Sequence, residues 1–461
     1  MRQYKYMFAQ FTFYDRTGIQ KLLEAQAEKG WMLDKISNFG WKFRRIQPRK
    51  LHYAVTYFPK ASAYDPHPTW QQQDLIDFCA HSGWILADTG AQMQIFYNEA
   101  ENPVPIETDP ALELENIHKS AKKNYLPAYF VIGAMAIVQI ALQLGQLFSF
   151  PLDYLSQNTT AFNWLSQIVL LIMASQEIGG YFLWYRRARI AAAEGAFLET
   201  KGHRGVQLAL LWVLLIAFAF LIVSLEPKIA FVMAVSLAAM SLMVGGIFAV
   251  HGWLKHRGAS AAANRTITIL STVILTMLVI SVVVFGTIGV MSSDFWEKDR
   301  IVGTYEWNGW TFDIYHDPIP LKVEDLEEVS SADYSYEARE QASFLLQKGT
   351  YSQRIWGISD LPELRYTIYE TRFDWILSLC EREVLAPSDY VTEIDEAGNE
   401  IYDIYVRIDD PAWGAEEVWQ RVAGDYAYRD FVLVFGDRIV CVQPSWDLTQ
   451  EQKSIAGRTL G

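Results

Sequence analysis

Five apolar stretches dominate the middle of the chain: Leu126–Phe148, Trp164–Trp184, Val206–Leu225, Ile229–Trp253 and Ile267–Met291. Each is long enough to cross a bilayer, whose hydrocarbon core takes about 20 apolar residues at the helical rise. No water is present there to satisfy backbone groups, so each stretch is expected to be an α-helix. A helix of a soluble bundle keeps a polar face, and these stretches stay apolar on all faces. The expected architecture is multi-domain. An N-terminal α+β sandwich at 1–98 is followed by a linker and coupling helix at 99–124. A five-helix transmembrane bundle spans 125–292, and a C-terminal α+β domain spans 293–461.

Lys and Arg in the connections set an orientation, because cytoplasmic loops carry the excess of them. Lys119, Lys122 and Lys123 precede the first stretch. Arg186, Arg187, Arg189, Lys201 and Arg204 follow the second, and Lys255, Arg257 and Arg265 follow the fourth. The alternate connections, 149–163 and 226–228, hold only Lys228. This predicts a multi-pass cell-membrane protein with a cytoplasmic N-terminus and, after five spans, an extracytoplasmic C-terminal domain. Residues 1–20 lack the apolar core of a cleaved leader, so the first span is expected to act as the export signal.

The formal net charge of −14 is concentrated at one end. Residues 1–124 carry 15 basic and 14 acidic side chains, whereas residues 293–461 carry 15 and 34. An acidic outer domain is held off anionic lipid and attracts cations or basic ligands. Such a surface also arises simply from solvation, with no specific partner. Of the three cysteines, Cys79 falls inside and Cys380 and Cys441 fall outside. The outer pair is a candidate disulfide in an oxidising compartment. No Cys/His cluster has metal-ligand spacing, and no cofactor is expected.

Residues 1–98 repeat a pattern. Tyr4–Thr12 reads as a strand, and Asp15 or Thr17 caps a helix running to Lys29. Gly30-Trp31-Met32-Leu33 then opens the first half's strands, which follow near Trp41–Ile46 and Leu51–Phe58 before the pattern returns. Thr69 caps a second helix, Gly83-Trp84-Ile85-Leu86 follows it, and Met93–Tyr97 alternates as a strand. Gly ends each helix in the left-handed conformation, and Trp begins the next core layer. Two such halves suggest a two-layer sandwich of the ferredoxin-like kind. Arg44, Arg45, Arg49 and Lys50 with Trp41, Phe43 and Tyr53 make a basic, aromatic hairpin. The region's near-neutral balance argues against nucleic acid as its partner.

Tyr4-Lys5-Tyr6, the Glu28-Lys29-Gly30-Trp31 turn, the aromatic hairpin and the second Gly-Trp half resemble the bacterial domain family DUF2812 over about residues 1–120. More weakly, Ile319-Pro320-Leu321, Glu324-Asp325-Leu326 and the Tyr334–Leu346 segment resemble its membrane-linked members. The resemblance implies a packing pattern and a regulatory setting, since genes of the family often lie beside PadR-type regulators. It transfers no catalytic residue.

Glu99–Asp109, with Pro103 and Pro105, reads as a linker, and Leu112, Leu114 and Ile117 suggest an amphipathic helix leading into the first span. Glu177 is the one acidic residue well inside a span, and an intramembrane carboxylate is a functional candidate by default. Gln139, Gln143 and Gln146 form a polar stripe on the first span that could face it. Two readings stay open for Glu177: a transport residue binding a proton or cation, or a carboxyl hydrogen bonded between helices. Gly245, Gly246 and Gly252, with Gly286 and Gly289, allow close helix approach.

In the C-terminal region, Thr311–Tyr315, Glu363–Thr371 and Phe431–Phe435 look like strands, and Phe373–Glu383 and Leu448–Leu460 like helices. Val391–Arg407 reads as a hairpin around Glu396-Ala397-Gly398-Asn399. The acidic run Glu393, Asp395, Glu396 and Glu400 does not match the ligand order of a calcium loop. No catalytic signature stands out. The expectation is a non-enzymatic sensor or regulator in the lipid bilayer, with an extracytoplasmic ligand outside and a cytosolic regulatory protein as partner inside. The alternative is a transporter, or a transporter subunit, working through Glu177.

Overall fold

The computed structural model describes residues 3–8, 11–37, 40–200, 204–291, 300–329, 334–355, 361–387, 391–394 and 400–461. It forms two compact units. One comprises Met1–Ile140, Leu165–Ile222 and Ile229–Ile288, and the other Ala141–Trp164, Val223–Lys228 and Gly289–Gly461.

The N-terminal sandwich is a structural repeat of strand, helix, strand, strand. The first half is β1 (Tyr4–Met7), α1 (Arg16–Glu28), β2 (Trp31–Lys35) and β3 (Trp41–Arg45). The second is β4 (His52–Tyr57), α2 (Trp70–His81), β5 (Ile85–Gly90) and β6 (Met93–Asn98). Each half forms its own three-stranded antiparallel sheet, ordered β1-β3-β2 and β4-β6-β5. A ferredoxin-like sandwich would draw strands of both halves into one sheet, and the hydrogen-bonding register differs from that. The sequence assigned β4 to the end of the first sheet, whereas its Val55 pairs with Ile95 of β6. The alternation on β4 explains why: Tyr53, Val55 and Tyr57 enter one core while Ala54 packs in another, so the strand is covered on both faces.

Local chemistry fixes the helix ends. The Asp15 carboxylate accepts from the Gly18 amide at 3.1 Å to start α1, and Thr69 accepts from Gln72 at 3.3 Å to start α2. Gly30 (φ +79°) and Gly83 (φ +80°) close them. At Gly30 φ favours glycine, and a Cβ would also be crowded, lying 3.0 Å from the Ile46 carbonyl oxygen.

The linker runs into α3 (Pro110–Ser120), capped by Asp109. A π-helical turn, Ala121–Tyr125, joins it without a break to α4 (Leu126–Ser149). Then follow α5 (Pro151–Ser156), α6 (Thr159–Ala193), α7 (Arg204–Ser224), α8 (Pro227–His256) and α9 (Ala261–Met291). Among the described residues, five helices are long and apolar enough to cross a membrane, the first including α3 and α4 together. The helix α6 outruns its apolar stretch, so Arg186, Arg187 and Arg189, read from sequence as a loop, stand on its last turns. Close approach is seen at Gly246, where a Cβ would meet Leu275 at 3.4 Å, and at Gly133 against Ala174 at 3.5 Å. Space is open beside Gly245, Gly252, Gly286 and Gly289.

The C-terminal domain begins with the hairpin β7 (Ile301–Trp307) and β8 (Trp310–Tyr315). Its two-residue turn, Asn308-Gly309, has both φ angles positive (52° and 81°), the geometry that matches strand twist. A seven-stranded antiparallel sheet follows, ordered β14-β15-β16-β17-β11-β10-β9. Its strands are β9 (Ser335–Ala342), β10 (Gln347–Arg354), β11 (Leu364–Glu370), β14 (Ile404–Ile408), β15 (Glu417–Ala423), β16 (Tyr426–Val434) and β17 (Arg438–Pro444). The strands β12 (Val391–Ile394) and β13 (Glu400–Tyr402) pair as the expected hairpin, and its acidic turn lies outside the described residues. Alternation gives the large sheet two apolar faces. Leu433, Val440 and Val442 meet α11 (Gln450–Leu460) on one face, while Val432 and Ile439 meet α10 (Asp374–Val384) on the other. Leu155 of α5 is buried in the second core, with Leu147 and Leu152 packed against it.

Candidate functional site

Glu177 stands on α6 and is 2% exposed. Its carboxylate accepts a hydrogen bond from the hydroxyl of Tyr125, the last residue of the π-helical turn. Tyr181, one helical turn beyond Glu177, is fully buried, and its hydroxyl lies 2.6 Å from His118 Nδ1 of α3. Tyr14, beside the α1 cap, stacks on Trp184 of α6 with ring centroids 4.8 Å apart and meets Tyr181 edge-on at 5.6 Å. Burial, and then the Glu177 charge, push the Tyr14 phenol above its ordinary range, so it stays a neutral hydrogen-bonding ring. Rings with polar tips suit such a junction, since the body buries apolar area while the tip finds a partner. One apolar core therefore holds Ile19, Leu23 and Phe43 of the sandwich together with Leu126 and Tyr181 of the membrane helices.

The glutamine stripe is differently placed. Gln143 is buried, and its side-chain oxygen accepts from Tyr154 of α5 at 3.2 Å. Gln139 and Gln146 are exposed. Sequence reasoning missed Tyr125 as the donor to Glu177. Their separation of 52 positions carries no spacing signal. Cys380 of α10 and Cys441 of β17 pack into the same apolar cluster, and both are free thiols. Burial pushes each thiol up to about 12, which leaves almost no thiolate for exchange at neutral pH.

A second polar cluster sits where the linker passes the sandwich. Arg16, on the first turn of α1, donates to Glu113 of α3 at 2.7 Å, and the two side chains are 17% and 8% exposed. Glu107, half-buried on the linker, lies beside this pair. Burial first, and then the Glu113 charge, push its carboxyl up to about 8. Two cavities, of 530 and 350 Å³, open on either side of Glu107 and share Thr56, Ile106 and Glu107 in their walls. Sequence reading took Glu107 for linker. The signal was there in part: Glu107 and Glu113 flank the Asp109-Pro110 helix start. Arg16, 97 residues away from Glu113, could be placed only by the fold. Among the described residues no three His, Cys, Asp or Glu side chains group as metal ligands.

No curated protein and no solved structure matches the chain. Residues 15–129 match the family described as "Protein of unknown function (DUF2812)". The matched segment opens at the Asp15 cap and closes at Tyr129, one turn beyond the start of α4, and so takes in Arg16, Glu107, Glu113 and Tyr125. The match thus takes in the sandwich from α1 onward, the linker and the start of the helix entering the apolar region, and over these residues the chain is similar to DUF2812.

Proposed function

We propose that the chain is a non-enzymatic membrane regulator, in which a C-terminal extracytoplasmic domain senses an envelope condition or ligand and the N-terminal domain engages a cytosolic protein. The observation that carries this reading is the helix at 110–149. Ile117 and Leu126 near its start are buried in the sandwich core, and Leu147 near its end packs on a core of the C-terminal domain. The start of this helix belongs to one packed core and its end to another, and packed cores rearrange between discrete states and do not deform smoothly, so a change in either core acts on this one helix. The π-helical turn supports it, since such turns interrupt the regular ladder and gather at functional positions. The distribution of Lys and Arg supports a cytoplasmic N-terminus.

On α2, Trp70 is 72% and Phe78 66% exposed, and apolar rings left on a surface suit partner contact. A photo-crosslinking residue at Phe78, in the full chain in native membranes, should yield a defined adduct with a cytosolic protein. Its yield should change when the C-terminal core is loosened by Leu433→Ala. Absence of any adduct, or one indifferent to Leu433→Ala, would reject the reading. The buried intramembrane carboxylate favours the transport reading as the second one. Glu177→Gln would then abolish flux in liposomes, and unchanged flux would end that role.

A further inference from the structure

Gln139 lies near the middle of the 24-residue α4 and is exposed there. Gln146, two helical turns further on, is exposed on the same face. In steps of four, three and four residues, Met135, Gln139, Leu142 and Gln146 form one stripe along the helix. Met135 is 67% and Leu142 59% exposed. The packed side of α4 is a different one. It carries the buried Gly133, Ala136 and Gln143, and brings Gly133 against Ala174 of α6.

Hydrogen bonding sets the two exposed glutamines apart. Ser241 of α8 and Ser281 of α9 also face out of their helices, and each closes a bond on its own backbone. Ser241 donates to the Leu237 carbonyl at 2.8 Å and Ser281 to the Met277 carbonyl at 2.9 Å. Gln143 accepts from Tyr154, whereas the Gln139 and Gln146 amides have no partner among the described residues. A glutamine amide carries two N–H donors and a carbonyl acceptor. Hydrocarbon offers nothing to bond them. From mid-bilayer each headgroup layer is about 15 Å away, beyond the reach of this side chain. Gln139 therefore needs a partner at its own depth.

We propose that the Met135–Gln146 stripe of α4 is the contact with a second copy of this chain, parallel and two-fold symmetric, with the two Gln139 amides paired across the axis. Copies inserted the same way round set equal residues at equal depth. A two-fold contact then places a residue near the axis against itself. A glutamine amide is its own complement there: the Nε2–H of each donates to the Oε1 of the other. A polar pair on an apolar seam also fixes register and partner number. Space is open beside Gly145, next to Gln146, which lets the second backbone come near. Gln146 stands closer to the helix end, where water and headgroups compete for its amide, so it contributes less. The inference depends neither on the regulator reading nor on which side of the membrane the N-terminus faces.

The test is energy transfer between donor- and acceptor-labelled full-length chains in phosphatidylcholine liposomes, diluted stepwise with lipid. A saturable signal above that of randomly placed chains, falling on dilution, is expected. Gln139→Leu should move the half-point to a protein density about threefold to tenfold higher, the scale of interhelical amide bonds in bilayers. Gln146→Leu should move it less, as should Gln139→Asn, which keeps the amide. Oxidative crosslinking in native membranes reads the face directly, with the unsubstituted chain as control for the native thiols. Leu142→Cys should link chain to chain, and Ile137→Cys, about 140° round the helix, should not. Transfer at the random level at every density would overturn the proposal, as would an unmoved half-point in Gln139→Leu. Linking at Ile137→Cys as strong as at Leu142→Cys would do the same, and so would linking of Leu142→Cys to another protein alone. If Gln139→Leu does not insert, the crosslinks decide.

Discussion

The N-terminal sandwich buries Phe43 and Ile95 in a core that also holds Tyr181 of α6, whereas the C-terminal domain closes its main core between a seven-stranded sheet and its own helix α11. Sheet size underlies the difference. Two three-stranded sheets have little area to cover each other, and small sheets need a further layer for stability. Here α6 and the start of α4 supply that layer. The larger sheet finds cover on both faces, from α10 and α11. Both parts hold buried and exposed ion pairs, and one pair from each shows the two extremes. Arg16–Glu113 is a buried ion pair, while Arg429–Asp447 in the acidic domain is 51% and 83% exposed. Folding of the sandwich is thus bound to the helices α4 and α6.

The sharpest way to break this contrast is to cut the shared core from the membrane side. Tyr181→Ala, on α6, removes a fully buried ring and should cost about 3–5 kcal/mol. The loss should appear as faster amide exchange in α1 and β4, far away in sequence. Leu433→Ala should cost about 2–5 kcal/mol and leave those amides protected. If Tyr181→Ala leaves α1 and β4 untouched, the sandwich does not depend on α6.

Next in size are the two ion pairs. Arg16→Ala strands Glu113 in a buried site and should cost about 3 kcal/mol at pH 8, the scale for breaking a buried pair. In acid the cost should shrink, because Glu113 takes a proton. Arg429→Ala, at a solvent-screened pair, should change stability far less at any pH. Thermal unfolding of full-length variants across pH separates these outcomes, and equal costs for the two would show that burial does not set what an ion pair contributes here.

Glu107 gives a smaller, signed effect. Its folded-state carboxyl titrates near 8, above the ordinary value of about 4.3, so the folded state binds the extra proton between those limits. Stability should therefore be greatest below about 4.3 and fall as pH rises toward 8. Glu107→Gln removes that slope. Relative to wild type it should gain between pH 5 and pH 8.5, by about 1–2 kcal/mol once the full linkage value is discounted for the half-buried side chain. A parallel pair of stability–pH curves would show that Glu107 is not desolvated.

What the sequence disclosed and what it hid divide by range of interaction. The five apolar helices, the Thr69 cap and the Gly30-Trp31 and Gly83-Trp84 turns depend on neighbours within a helical turn or on bulk transfer to lipid, and all were legible. The sheet to which β4 belongs was not, because its apolar pattern suits either neighbour and only pairing with β6 decides. Glu107, Glu113 and Arg16 were hidden for a related reason: their chemistry exists only when α1 and α3 meet across 97 residues. Glu177 was flagged by its cost in lipid, yet its donor Tyr125 lies on another helix and no local pattern pointed to it.

The smallest effect tests whether local rules ignore the division between domains. Thr69 starts α2 in the sandwich and Thr449 starts α11 in the C-terminal domain, and each hydroxyl accepts one amide hydrogen bond at 3.3 Å. Thr449 sits in a capping box, in which the Gln452 side chain accepts from its backbone amide at 2.8 Å and donates to the Leu326 carbonyl at 2.9 Å. Those two bonds use no atom of the Thr449 side chain, so Thr449→Ala leaves them in place. Both alanine variants lose the same single acceptor, and each should cost about 0.5–1 kcal/mol. Gln452→Ala breaks the tertiary bond as well and should cost more than Thr449→Ala. If Thr69→Ala proves much the costlier of the two caps, then the start of α2 is held by the shared core as well as by its own turn, and dependence on the membrane helices extends further into the sandwich than Tyr181 alone implies.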